Sequence, residues 1–218
     1  NYEDVTLHNA ENVYLDMISV GRELLAGRPV DMIALSGTWH SLVLCDQNMK
    51  PVTPVYLWSH TGAASVCKRL RQNQAYVDAF YQKTGCMVHA IYPFFKLMML
   101  QEQGYKLERH NIMGQGTYNN YRMTGQRVVT ACLASGSGLL NTWTKTFDPD
   151  LMKELGICPE QLSRLVPYDQ TFPLTDQAAK ELGVKPGVPV IPTNADGGLN
   201  QVGAGAVQDG VMTFSVNT

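Results

Sequence analysis

The feature that most constrains this chain is a change of pattern near its C-terminal end. In "VPVIPTNADGGLNQVGAGAV", residues 188–207, an apolar, β-branched run stops at a polar turn and small residues follow. A short apolar run bounded by turn residues predicts a buried strand, and the Gly/Ala-rich stretch predicts a closely packed helix. A buried strand that passes directly into a helix belongs to an α/β sheet, whose ligands gather outside the carboxyl ends of the strands. One carboxylate, Asp196, stands at that junction. Gly197 and Gly198 let a ligand approach the backbone, and the first turn of the helix offers free N–H groups to a phosphate. Asp196 in the same place would also serve as a helix cap.

The rest of the chain alternates in the same manner. Apolar residues at helical spacing predict helices over Asn9–Gly27, Gly62–Gly85 (one long helix), Phe94–Gly104 and Thr117–Gly125. Shorter helices with acids near their starts and glycine at their ends are expected at Asp148–Gly156 and Thr175–Gly183. "VDMIALSG" reads as a buried strand, and His40–Trp58 as a hairpin turning at Asp46–Met49. Gln126–Ser135 reads as a strand or extended segment, and Gly210–Thr218 as a final strand. Helices and strands mixed in this order predict a mixed α/β sheet with flanking helices.

A second constellation lies in "SGTWHSLVL". Trp39 and His40 follow a predicted strand and a Ser-Gly break, which places both at a sheet edge. An indole face with one N–H donor beside an imidazole suits a polyol, with its C–H face and hydroxyl rim. A core tryptophan and a turn histidine satisfied by its neighbours would give the same local sequence.

Charge and cysteine usage narrow the function classes. A formal net charge of −2 offers no basic field for nucleic acid or an anionic membrane. No apolar run approaches the length of about 20 residues that crosses a bilayer, and the N-terminus lacks the basic and apolar regions of a secretory signal. Five scattered cysteines without a CxxC pair read as reduced thiols of a cytoplasmic protein, and no metal site is expected. The missing initiator Met suggests a piece of a longer protein.

Taken in order, "ALSGTWHSLVLCDQNMKPVTPVYLW", "TGCMVHAIYPFFKLMML", "YRMTGQRVVTACLASGSGLLN", "LGICPEQLSRLVP" and "LGVKPGVPVIPTNADGGLNQVGAGAV" resemble the FGGY family of carbohydrate kinases. The similarity runs from about Asp31 to Thr218 and corresponds to that family's N-terminal, sugar-binding lobe. It implies an actin-like, ribonuclease-H-like fold across residues 1–218. "TGCMVHAIYP" and "TNADGGLNQVG" look most like the gluconate kinase branch, followed by xylulose and ribulose kinases. By position, the resemblance makes Asp196 the general base for a sugar hydroxyl. Trp39, His40 and Tyr92 become sugar contacts, and Gly197, Asn217 and Thr218 belong to the phosphate side. It implies ATP and Mg2+, a small sugar or sugar acid as partner, and a possible homodimer. An inactive sugar-binding or sensor protein on the same fold is the rival expectation.

Several residues depart from the family pattern. His60 and Gly62 stand where relatives often carry an acid and an arginine, Gly116-Thr117 replaces a frequent Lys-Asp or Lys-Glu, and Asn217 stands in place of the usual glycine of the second phosphate loop. The first phosphate-loop hairpin and the ATP-binding lobe are expected outside these residues.

Overall fold

The computed structural model describes residues 2–214. Strand β1 (Leu7–His8) leads into helix α1 (Ala10–Leu25), followed by β2 (Ile33–Gly37), β3 (Val43–Cys45) and β4 (Val55–Tyr56). Helices α2 (Ala64–Leu70), α3 (Gln74–Thr84) and α4 (Pro93–Glu102) follow, then β5 (Asn111–Met113) and α5 (Gln115–Thr124). The chain continues through β6 (Val128–Thr130), α6 (Ala131–Ser135), α7 (Pro149–Glu154), β7 (Arg164–Val166) and β8 (Phe172–Pro173). It closes with α8 (Asp176–Leu182), β9 (Pro189–Ala195) and α9 (Asp196–Gly203). The expected mixed α/β arrangement is the one found.

Among the described residues, β9 is the central strand of the sheet β2-β9-β8, parallel to β2 and antiparallel to β8. Helices α1, α5 and α8 pack together on this region. Tyr14 and Ile18 of α1, Tyr118 and Met123 of α5, Ala178 and Leu182 of α8 and Val190 of β9 share one core cluster. A second cluster gathers Leu42 and Leu44 with Val66 of α2, Phe80 of α3, and Phe94, Phe95 and Leu100 of α4. The rings of Phe80, Phe94 and Phe95 lie with centroids 5.0 to 5.2 Å apart, in tilted and T-shaped arrangements that suit aromatic quadrupoles.

Three expectations are corrected. The long helix over Gly62–Gly85 is two helices, because the Asn73 side chain accepts the Tyr76 N–H at 3.2 Å and starts α3 anew. The extended segment Gln126–Ser135 stops at Thr130, whose hydroxyl accepts the Leu133 N–H at 3.3 Å and opens α6. No strand forms over residues 210–214, and the remainder of the expected final strand lies outside the described residues. The 40–58 hairpin does form: Leu42 and Tyr56 pair antiparallel, and the Asp46 carboxylate accepts the Asn48 and Lys50 N–H groups in the turn. None of the five cysteines is paired. Among the described residues no helix is long and apolar enough to cross a membrane.

Candidate active site

The site begins with a register. Strands β2 and β9 run parallel, and Gly37 pairs with Ala195 at their carboxyl ends. The segments that follow, Thr38-Trp39-His40 and Asp196-Gly197, therefore leave the sheet side by side. Close packing holds them there. A methyl group at Gly37 would overlap the Thr193 side chain, and one at Gly116 would come 2.6 Å from Thr193 Cγ2. Thr193 Oγ1 donates to the Gly116 carbonyl at 2.9 Å, so α5 begins directly against β9. A side chain at residue 116 would not fit this contact.

Trp39 and His40 are both half-buried. Their rings stack with centroids 5.3 Å apart and planes 18° from parallel. Trp39 Nε1 donates to the Cys132 carbonyl at 3.1 Å, and His40 Nδ1 donates to the Gly136 carbonyl at 2.7 Å. With its proton on Nδ1, a neutral His40 keeps Nε2 as an acceptor. Burial lowers the His40 pKa below its ordinary value; the Gly136 hydrogen bond opposes this, Lys96 reinforces it, and Asp196 also opposes it. The His40 backbone is left-handed, with φ +62°, an unfavourable conformation for a residue with a side chain. The neighbouring ring is Tyr92, set edge-on to His40 at 5.1 Å and 88°. Burial, with the Cys86 thiol beside it, pushes the Tyr92 pKa up to about 12.

Asp196 is exposed and is the first residue of α9, one position past the cap residue Ala195. The cap itself makes no side-chain hydrogen bond; instead Asp196 Oδ1 accepts the Gly197 N–H at 2.8 Å. Gly197 lies against the indole: a methyl group there would sit 3.1 Å from Trp39 Cε3 and Cζ3. Asp196, Gly197, Trp39, His40 and Tyr92 thus form one neighbourhood. Asn217 and Thr218 lie outside the described residues.

Two contributors were not identified from sequence. Gly136 was not singled out, yet a methyl group there would overlap the Trp39 indole and lie 2.9 Å from His40 Nδ1. Its signal was the glycine-rich "ASGSG" directly after a strand and helix. Lys96 is buried, and its Nζ donates to the carbonyls of Leu57 at 2.7 Å, His40 at 2.9 Å and Ile91 at 2.9 Å. Burial pushes its pKa down to about 7, while three carbonyl dipoles favour the charged form. Its signal was a lone charge inside "FFKLMML".

The departures at residues 60 and 62 are coupled in space. His60 Nδ1 lies 2.9 Å from Thr6 Oγ1, and its ring packs on Tyr56 at 5.0 Å. A side chain at Gly62 would begin 2.5 Å from His60 Nε2 and 2.7 Å from Met99 Sδ. The histidine occupies the space that any side chain at 62 would need. Thr117 is buried at the rim of a mostly apolar cavity of about 70 Å³ behind His40, bounded also by Leu133, Gly136 and Ser163. Ser163 Oγ is buried there without a hydrogen-bond partner. The space suits about two water molecules. Among the described residues, no group of three or more His, Cys, Asp or Glu side chains is placed to hold a metal ion.

The described residues thus form a mixed α/β lobe that sets an acid and an aromatic pair at one strand edge. The chain belongs to the FGGY family of carbohydrate kinases: the model of that family's N-terminal domain matches residues 10–203. Gluconokinase of Bacillus subtilis is 23% identical over 216 residues, which cover 96% of this chain and 42% of that protein. Xylulose kinase of Haemophilus influenzae is 28% identical over 194 residues, covering 85% of this chain and 39% of that one. The crystal structure of gluconate kinase from Lactobacillus acidophilus superimposes with a TM-score of 0.88 at 24% identity, over 94% of this chain and 43% of that one. Ligand-bound xylulose kinase from the same organism gives 0.88 at 23% identity, with the same 94% and 43% coverage. The chain therefore spans well under half the length of these relatives. The family and the lobe fold read from the sequence are both confirmed.

Proposed function

We propose that residues 1–218 are the sugar-binding lobe of a kinase that moves a phosphoryl group from ATP to a hydroxyl of a small sugar or sugar acid, gluconate-like or a ketopentose. The observation that carries this reading is the shared edge. Asp196 and the Trp39–His40 pair leave adjacent parallel strands at the Gly37–Ala195 register, with Gly197 in contact with the indole. A sugar hydroxyl is a poor nucleophile at neutral pH. A carboxylate within hydrogen-bond reach takes its proton as the new O–P bond forms, an assistance worth roughly 10²–10⁴-fold. Asp196 is exposed and bound only through Oδ1 in the described hydrogen bonds, so a second oxygen is available for that proton. The Trp39 face and the acceptor Nε2 of His40 orient the sugar, and Tyr92 supports His40 from its edge.

ATP is the phosphoryl donor the family implies, and Mg2+ would offset charge on its phosphates. The described residues bring a single open carboxylate to this edge and no cluster suited to a metal. They do not by themselves fit Mg2+. The Gly197 N–H is already engaged by Asp196. The phosphate side therefore falls to the residues around Asn217 and Thr218 and to the part of the protein that the longer relatives possess.

The departures at His60, Gly62 and Thr117 favour a second reading, a sugar-binding protein without transfer activity. One experiment separates the two: ATP consumption by the full-length protein across gluconate and other sugar acids, ketopentoses and glycerol, repeated with Asp196→Asn. The kinase reading expects turnover on one of these classes, a kcat lower by about 10²–10⁴-fold in the variant, and little change in sugar KM. Sugar-dependent thermal stabilisation without ATP consumption on any compound supports the second reading instead. A variant with normal turnover removes Asp196 from the mechanism.

A further inference from the structure

Lys96 is buried inside the apolar first turns of α4, where Leu or Met would fill the same space without desolvating a charge. A lysine there requires partners, and it has a full set. An ammonium carries three N–H donors, and each meets a backbone carbonyl at 2.7 to 2.9 Å. The three carbonyls come from separate segments: His40 after β2, Leu57 after β4, and Ile91 just before α4. No local rule of sequence brings these together. The ammonium closes a gap where three chain segments converge.

Two of those segments carry residues of the sugar site. The His40 backbone has φ +62°, a conformation that persists in a non-glycine residue only when its surroundings enforce it. Its ring end is fixed by Gly136, and its carbonyl end is fixed by Lys96. Ile91 adjoins Tyr92, whose ring meets the His40 imidazole edge-on. The same ammonium thus holds the backbone of His40 and the residue next to the ring that supports it. The first core cluster also packs Tyr92 and Leu42, but the hydrogen bond to the His40 carbonyl comes from Lys96.

We propose that Lys96 is a positioning residue of the sugar site. Its ammonium keeps the His40 backbone left-handed and the Tyr92 segment seated against it, so the imidazole is in place before the sugar arrives. The role in sugar binding rests on the kinase reading above; the role in holding Trp39 and His40 does not.

The test uses full-length protein with Lys96→Met, His40→Ala and the double variant, together with a structural probe that needs no activity. The chain has three tryptophans. With Trp58, Trp143 and every tryptophan outside residues 1–218 replaced by Phe, Trp39 alone reports on the site through its emission and its quenching by acrylamide. Lys96→Met is expected to raise sugar KM about tenfold or more while ATP KM stays within about twofold. Adding it to His40→Ala should change sugar KM by less than about twofold, because both act through one imidazole. Trp39 quenching should rise in Lys96→Met. Should that variant fail to fold, Lys96→Arg replaces it, since a planar fork cannot meet three converging carbonyls as the ammonium does. Sugar and ATP KM values rising together, with effects that multiply on His40→Ala, would show plain destabilisation and overturn the proposal. Unchanged Trp39 quenching in a folded variant overturns it as well. If the wild-type protein phosphorylates nothing, the kinase reading fails, and the quenching result still decides for or against Lys96 as the residue that holds the pair.

Discussion

His40 donates its Nδ1 proton to the Gly136 carbonyl at 2.7 Å across 96 positions of sequence. The bond selects the tautomer that leaves Nε2 as an acceptor, and it anchors the imidazole beneath the Trp39 ring stacked on it. Asp196 and Trp39 flank the same edge through Gly197. The consequences can be measured one residue at a time.

The first is a pH dependence. Burial lowers the folded-state pKa of His40 below the ordinary 6.5. On acidification the unfolded chain takes up that proton first. The His40 contribution to stability is therefore complete above about 6.5 and declines as pH falls through that value toward the lower folded pKa. Melting temperature followed from pH 7.5 to 5 should fall more steeply for the wild type than for His40→Asn. Parallel curves would mean that His40 does not titrate as described.

Gly136→Ala places a methyl group into the Trp39 indole and close to His40 Nδ1. Both rings must move, at an overpacking cost of about 1–3 kcal/mol. The expected result in the full-length protein is a lower melting temperature together with a sugar KM raised more than ATP KM. Equal changes in the two KM values would separate Gly136 from the sugar site.

His60 and Gly62 should behave as a coupled pair. Gly62→Arg alone meets His60 Nε2 and Met99 Sδ within 2.7 Å of its own Cβ, and it should be strongly destabilising. His60→Asp combined with Gly62→Arg installs the acid and arginine that the sequence resemblance implies at these positions and vacates the imidazole's space. The double variant should be more stable than Gly62→Arg by at least about 1 kcal/mol in a denaturant titration. Additive losses would argue that the two departures are independent.

Phe95→Ala tests the second core cluster. Phe95 is buried against Phe80 and Phe94, and its removal leaves a cavity worth about 3–5 kcal/mol. The melting temperature of the full-length protein should fall clearly. A shift of a degree or less would show that this cluster relaxes around the missing ring.

Much of the element order could be read locally. The α1 helix was expected to end at Gly27, and it ends at Leu25 with Ala26 left-handed. The β9-to-α9 junction sits where the change of pattern placed it, because alternation, small residues and turn acids act over a few positions. The break at Asn73 was missed because helical spacing of the apolar residues continues across it, and one side-chain cap outweighs the periodicity. The short strands β1 and β7 have too few residues to leave a pattern, and each forms only because a distant strand, β4 or β6, supplies its partner.

The order of residues was enough to indicate the family, the α/β class, and that Asp196, Trp39 and His40 stand at strand ends. The class and the strand-end positions depend on contacts within a turn or two of chain, and the family on the order of motifs along it. Tertiary structure alone decided that β2 and β9 are parallel neighbours in a register that sets the three residues side by side. It also decided that Gly136 leaves room for the ring pair, and that Lys96 closes three carbonyls around His40. A hydrogen bond between residues dozens of positions apart leaves no local periodicity, because its geometry exists only once the segments have packed.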